Sequence, residues 1–145
     1  MEHIYRLIHD IYILLDSRDT QIFSQFELTP TQYRALILLS GDEGKSLTAL
    51  ADQLLRNRST ATRLIDQLEQ RELVRRADEP NDRRIHCIFL TQKGMELRDM
   101  AYKAHLDSLE ARFGDLSQAM SSPLDDLLSQ LRDCLEADLN RVTLA

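Results

Sequence analysis

Eight arginines fall between Arg56 and Arg84, and they decide what chemistry this chain could do. Residues 56–86 hold 8 basic and 6 acidic side chains, whereas residues 1–55 hold 4 and 8 and residues 87–145 hold 6 and 10. The whole chain carries a formal charge of −6, so one short positive segment lies between two negative ones. Its cations are all arginine, whose planar fork pairs with two acceptors at once on a phosphate or a guanine edge. Arg56, Arg58 and Arg63 are interleaved with the small hydroxyls Ser59, Thr60 and Thr62, and a second group reads Asp82-Arg83-Arg84. Such a mixture suits contact with double-stranded DNA, arginines on the backbone and short polar side chains close to the bases.

The surrounding pattern supplies elements to hold these residues. Leu47, Leu50, Ala51 and Leu54 predict a short helix opened by Ser46 or Thr48. Asn57 is a candidate N-cap for the next helix, whose apolar positions Ala61, Leu64, Ile65 and Leu68 recur at helical spacing. The opposite side carries Ser59, Thr62, Arg63 and Asp66. Leu73–Arg76 and Ile85–Leu90 are β-prone runs separated by the turn chemistry of Asp78-Glu79-Pro80-Asn81-Asp82. Two close helices and a charged hairpin predict a winged helix-turn-helix.

Amphipathic helices flank that unit. Ile4, Leu7, Ile8, Ile11, Leu14 and Leu15 mark a long first helix, with Ile22 and Phe26 continuing its row. Thr29-Pro30 predicts the cap and first position of a second helix through Tyr33, Leu36, Ile37 and Leu39, with Gly41 as its C-terminal cap. Thr91 caps a long helix that should break near Phe113-Gly114-Asp115, and a final helix carries Leu124, Leu127, Leu128, Leu131, Leu135, Leu139 and Val142. The expected fold class is mainly α (α+β), a winged helix-turn-helix with a two-stranded wing flanked by terminal dimerisation helices. Its parts are an N-terminal helix over 1–30, the DNA-binding domain over 31–91 and C-terminal helices over 92–145. Pattern alone leaves open whether the end helices pack within one chain or between two; two-fold proteins read two half-sites, which favours a homodimer.

Other chemistries find little support. His3, His9, His86 and His105 are scattered, with no HExxH or paired metal spacing, and there is no phosphate-binding glycine loop. The expectation is no enzyme, no catalytic residues, no metal and no cofactor. No apolar run approaches the ~20 residues of a membrane span, and MEHIYRLIHD lacks the pattern of a signal peptide. A cytoplasmic protein with no membrane partner is expected. Cys87 and Cys134 fit no metal or CxxC spacing and read as reduced thiols, with redox sensing as the alternative. A winged-helix protein-interaction module without DNA binding is a further alternative, opposed by Arg63, Arg83 and Arg84.

Residues 47–94 resemble the MarR family of winged helix-turn-helix regulators. The carrying motifs are LTALADQL, TATRLIDQLEQRELV and NDRRIHCIFLTQKG, in which Asp82-x-Arg84, Leu90-Thr91 and Gly94 match the family's wing and exit. The resemblance implies a homodimer joined through both chain ends and transcriptional control at a pseudo-palindromic operator, and the expected function is that of an effector-responsive repressor. It also implies that Arg84 enters the minor groove and that Asp82 steadies the wing tip. Glu72 departs from the pattern, which has glycine there, so either modest strain or a different helix exit is expected. Family members often bind small aromatic molecules between the dimerisation helices and the winged domain. Tyr5, His9 and Tyr12, on one face of the first helix, and Tyr33 on the second are the candidate polar lining of such a pocket. The same face also reads as an interface stripe whose polar tips reach water. The reactive cysteine that peroxide-sensing members carry near the start of the first helix is absent.

Overall fold

A computed structural model describes residues 1–79, 82–117 and 122–143. Among these residues, six helices and three strands follow in the order α1 (Glu2–Ser24), α2 (Pro30–Leu38), β1 (Lys45–Ser46), α3 (Leu47–Leu54), α4 (Arg58–Gln70), β2 (Val74–Glu79), β3 (Asp82–Leu90), α5 (Gln92–Ser117) and α6 (Ser122–Thr143). The chain divides into two compact units, Met1–Leu106 and Asp107–Ala145. The second unit holds the end of α5 and α6. Among the described residues, no helix is long and apolar enough to cross a membrane.

Capping chemistry sets most helix starts. Thr29 accepts from the Gln32 amide and the Gln32 side chain accepts from the Thr29 amide, a reciprocal capping box with Pro30 just inside. Ser46 caps α3 through the Ala49 amide, and Asn57 caps α4 through the Thr60 amide at 2.8 Å. Thr91 accepts from Gly94 N–H at 3.0 Å and donates to the Glu72 carbonyl at 2.6 Å, so it opens α5 and ties it to the end of α4. A Cβ on Gly94 would strike the Leu73 carbonyl, which explains the glycine where the first turn of α5 packs against the exit of α4.

The core of the first unit gathers Ile22 and Phe23 of α1, Ala35 and Leu36 of α2, Leu50 and Leu54 of α3, and Leu64, Ile65 and Leu68 of α4. Val74, Ile88 and Leu90 of the sheet and Ala101 of α5 complete it. The strands form one antiparallel sheet in the order β1-β3-β2, with Ser46 opposite Cys87 and Arg76 opposite Ile88. The expected two-stranded wing therefore has a third strand at its root: β1 is only two residues long and leaves no periodic trace.

Three other boundaries differ from expectation. Helix α2 stops at Leu38, and Leu39 is already extended at φ −100°, ψ 155°, so Gly41 is not its cap. The bond from Leu90 N–H to the Ser40 carbonyl at 2.8 Å then ties this segment to the sheet. Helix α5 runs through Gly114 to Ser117 rather than breaking there, since one helical glycine costs only about 1 kcal/mol. Phe26 lies beyond the end of α1, in a turn closed by Glu27 at φ 54°, and Phe23 is the buried aromatic.

Candidate nucleic-acid interface

Helices α3 and α4 are joined through Leu55, held left-handed at φ 53°, which turns the chain sharply enough to present the α4 N-terminus outward. One face of α4 is sealed: Ala61, Ile65 and Leu68 are fully buried and Leu64 nearly so. The sequence-expected contact residues are on the remaining faces. Arg56, Arg58, Ser59 and Arg63 are exposed, and Thr60 and Thr62 are half-buried. Ser59 donates to the Asn57 side chain at 2.9 Å, and Thr62 donates back to the Arg58 carbonyl at 2.8 Å, so both hydroxyls are oriented by the helix itself. Among the described residues, Arg58 and Arg63 enter no ion pair. A notch of about 390 Å³ lies between the starts of α3 and α4 and the sheet, bordered by Thr48, Arg58, Arg76 and His86. The exposed Arg58 guanidinium at this notch suits an anionic oxygen.

The arginines of the positive segment split into two groups, which the sequence does not separate. Arg71 turns inward and donates to the Glu27 carbonyl at 2.6 Å and the Phe26 carbonyl at 3.1 Å, clamping the α1–α2 turn to the end of α4. The Arg75 guanidinium lies over the Phe89 ring at 4.5 Å. Arg76 is held by two acids of α4, Asp66 at 2.6 Å and Glu69. Partial burial lowers the Arg76 pKa, but hydrogen bonds and charge from Asp66 and Glu69 outweigh it, and the net shift is upward. Arg56, Arg58 and Arg63 remain directed outward. Asp82, Arg83 and Arg84 are the first three residues of β3, and their side chains lie outside the described residues.

Glu72 sits at φ 61°. Its amide donates to the Glu69 carbonyl at 2.8 Å, and Leu73 N–H donates to the Leu68 carbonyl at 3.0 Å, which closes α4 in the left-handed manner glycine would allow without a steric clash. Glu72 therefore takes the left-handed conformation that glycine favours, which is the strained one of the two readings.

The four candidate pocket residues do not meet within one chain. Tyr5 and Tyr12 are 68% and 61% exposed, and Tyr5 stacks on His9 with ring centres 6.2 Å apart. Tyr33 is buried, stacked on Phe23 at 4.0 Å and edge-on to His105 at 5.7 Å. Phe23 lies eleven residues beyond Tyr12, about 16 Å along the helix axis. Burial pushes the Tyr33 phenol above its usual pKa, helped by Tyr102 and by the Asp19 carboxylate. His105 was missed by sequence reasoning; its Nε2 lies 3.6 Å from Asp19. Its i, i+4 spacing from Ala101 was a usable but weak signal.

The two thiols occupy different settings. Cys87 is 3% exposed, between Ser46 and Ala77 on the neighbouring strands, and Cys134 is exposed on α6. A buried thiol gives peroxide little access, which disfavours Cys87 as a sensor.

Residues 28–86 match the MarR family model. The transcriptional repressor MprA of Escherichia coli (strain K12) is 32% identical over 126 residues, covering 85% of this chain and 70% of that protein. The chain belongs to the MarR family. This MarR-family chain is also similar to the crystal structure of the transcriptional regulator SlyA, at 27% identity and a TM-score of 0.80 over 96% of this chain and 98% of that one. It resembles the repressor CouR bound to a 23-mer DNA duplex, at 28% identity and a TM-score of 0.71 over 89% of each chain. The family is one of transcriptional regulators rather than enzymes, and this chain is a MarR-family transcriptional regulator.

Proposed function

We propose that this regulator is a repressor that binds a pseudo-palindromic operator in double-stranded DNA as a homodimer. Helix α4 enters the major groove and the β2–β3 wing lies beside it, with Arg84 in the minor groove and Asp82 steadying it. Arg56, Arg58, Ser59, Thr60, Thr62 and Arg63 contact backbone and bases, and Arg83 adds charge at the wing. The observation that carries this reading is the division of α4 into a sealed apolar face and an outward face bearing Arg58, Ser59 and Arg63. The CouR duplex complex and the repressor MprA support it by similarity.

The dimer rests on apolar surface left uncovered in the single chain. Ile4, Leu7, Ile11 and Leu14 of α1 are 54%, 52%, 47% and 70% exposed, and Leu127, Leu128, Leu135 and Leu139 of α6 are each at least half exposed. Rows of this length on two helices exceed the scattered apolar residues of an ordinary monomer surface. A small aromatic effector is proposed against Tyr5, His9 and Tyr12, where a partner protomer would supply the missing wall; Tyr33 belongs to the core instead.

The test is to select genomic fragments bound by the purified full chain and measure their affinity against scrambled duplexes. A palindromic consensus bound at least 1,000-fold more tightly than scrambled DNA is expected of a specific regulator. Equal affinity for all fragments would overturn the reading.

A further inference from the structure

We infer that Arg76 is a positioning residue which latches the wing to the recognition helix, so that the wing contact with DNA depends on it. The inference rests on the DNA reading above. Asp66 lies four residues after Thr62 and three after Arg63, on the same outward strip of α4, where a bare carboxylate would face phosphates. Arg76 reaches back from β2 and engages it: Nη2 donates to Asp66 Oδ1 at 2.6 Å. Its Nη1 donates to Glu69 Oε2, and its backbone N–H donates to Glu69 Oε1 at 3.1 Å. One residue of the wing thus makes three charge-assisted bonds to two successive positions on one side of the helix.

The geometry explains why a strand would need such a tie. Arg76 stands opposite Ile88 near the root of the hairpin, and Glu79, paired with Asp82, is three residues further out. Three extended residues span about 10 Å. A 10° swing at Arg76 would move the tip by about 2 Å, enough to lose a hydrogen bond in a groove. A lysine could supply charge there but not the planar fork that fixes direction.

Two cycles test this in the full-length protein, on the tightest DNA fragment selected by wild type. Arg76→Met should weaken binding about 10-fold, and less than 2-fold when Arg84 is already alanine, because the wing contact is then gone. Equal losses in both backgrounds would show that Arg76 acts apart from the wing. Arg84→Ala alone reports on the DNA reading, so failure there is distinguishable from failure of the latch. The second cycle does not use Arg84. Asp66→Asn with Glu69→Gln removes two negative charges, so simple electrostatics predicts tighter binding to all DNA. The latch predicts weaker binding to the selected fragment, tighter binding to scrambled DNA, and no further loss when the pair is added to Arg76→Met. A full additional loss, or tighter binding to both DNAs, overturns the proposal. Arg76→Lys should recover only part of the loss, and melting temperatures of all variants should stay near wild type, since every group involved is more than a third exposed or close to it.

Discussion

Replacing Glu72 with glycine should stabilise the protein even though it deletes a side chain and an ion pair. A non-glycine residue in the left-handed region costs about 1–2 kcal/mol, and Glu72 holds φ 61°. Glycine removes that cost but adds about 0.5–1 kcal/mol of backbone entropy to be lost on folding. The pair between Lys93 Nζ and Glu72 at 3.5 Å joins side chains 60% and 82% exposed, so its loss costs no more than a few tenths of a kcal/mol. The backbone bonds to Glu69 and from Thr91 are indifferent to the side chain. The balance is a gain of about 0.5 kcal/mol, or one to two degrees in Tm for a chain of this size. Glu72→Ala is the control: it loses the same pair and keeps the strain, so glycine should exceed alanine by about 0.5–1 kcal/mol. Urea unfolding at one fixed protein concentration measures both, the concentration being held because a dimer's stability depends on it. Alanine as stable as glycine would refute the strain argument. Because no bond at the helix exit changes, DNA affinity should stay within twofold of wild type.

Other perturbations address the interface, the caps and the ends. Arg84→Ala should weaken operator binding by about 1–3 kcal/mol with no change in Tm, as read by fluorescence anisotropy. Asn57→Ala removes the acceptor for the Thr60 amide and should cost about 1 kcal/mol of stability, together with a loss of DNA affinity as the first turn of α4 frays. Deleting residues 122–145 should give monomeric or unstable protein in light scattering that no longer shifts DNA. Log K should fall linearly with log salt, with a slope no steeper than about −9 for a dimer using five arginines per protomer. Stability should decline as pH rises past about 10, because the unfolded Tyr33 ionises at its ordinary pKa while the buried phenol resists. Denaturant titrations should show that decline flattened in Tyr33→Phe.

Elements governed by local rules were legible in the chain. Thr29, Asn57 and Thr91 are caps because a short polar side chain precedes an apolar period, and the buried row of α4 follows from spacing alone. What escaped depends on partners distant in sequence. Strand β1 exists only because Lys45 and Ser46 meet Ile88 and Cys87. Gly41 has the residue type of a cap, yet tertiary bonding to the sheet ends α2 earlier. Tyr33 shares its polar-aromatic character with Tyr5 and Tyr12, and only the arrival of Phe23 and His105 assigns it to the core.

The same distinction governs the charge map. Counted along the sequence, residues 56–86 are a basic patch; in the fold, Arg71, Arg75 and Arg76 are consumed by two carbonyls, an aromatic ring and two carboxylates. Arg71 fastens the C-terminal end of α4 to the α1–α2 turn, Arg76 fastens the last turns of α4 to β2, and Arg75 packs across the sheet on Phe89. Fewer arginines are thus left for DNA than the count implies, and under the latch proposed above Arg76 sets the angle between helix and wing. For an acidic chain this arrangement is consistent with selectivity. A small number of cations limits attraction to arbitrary DNA, where affinity follows phosphate contacts alone. A rigid spacing between helix and wing rewards only duplexes on which every contact can form together.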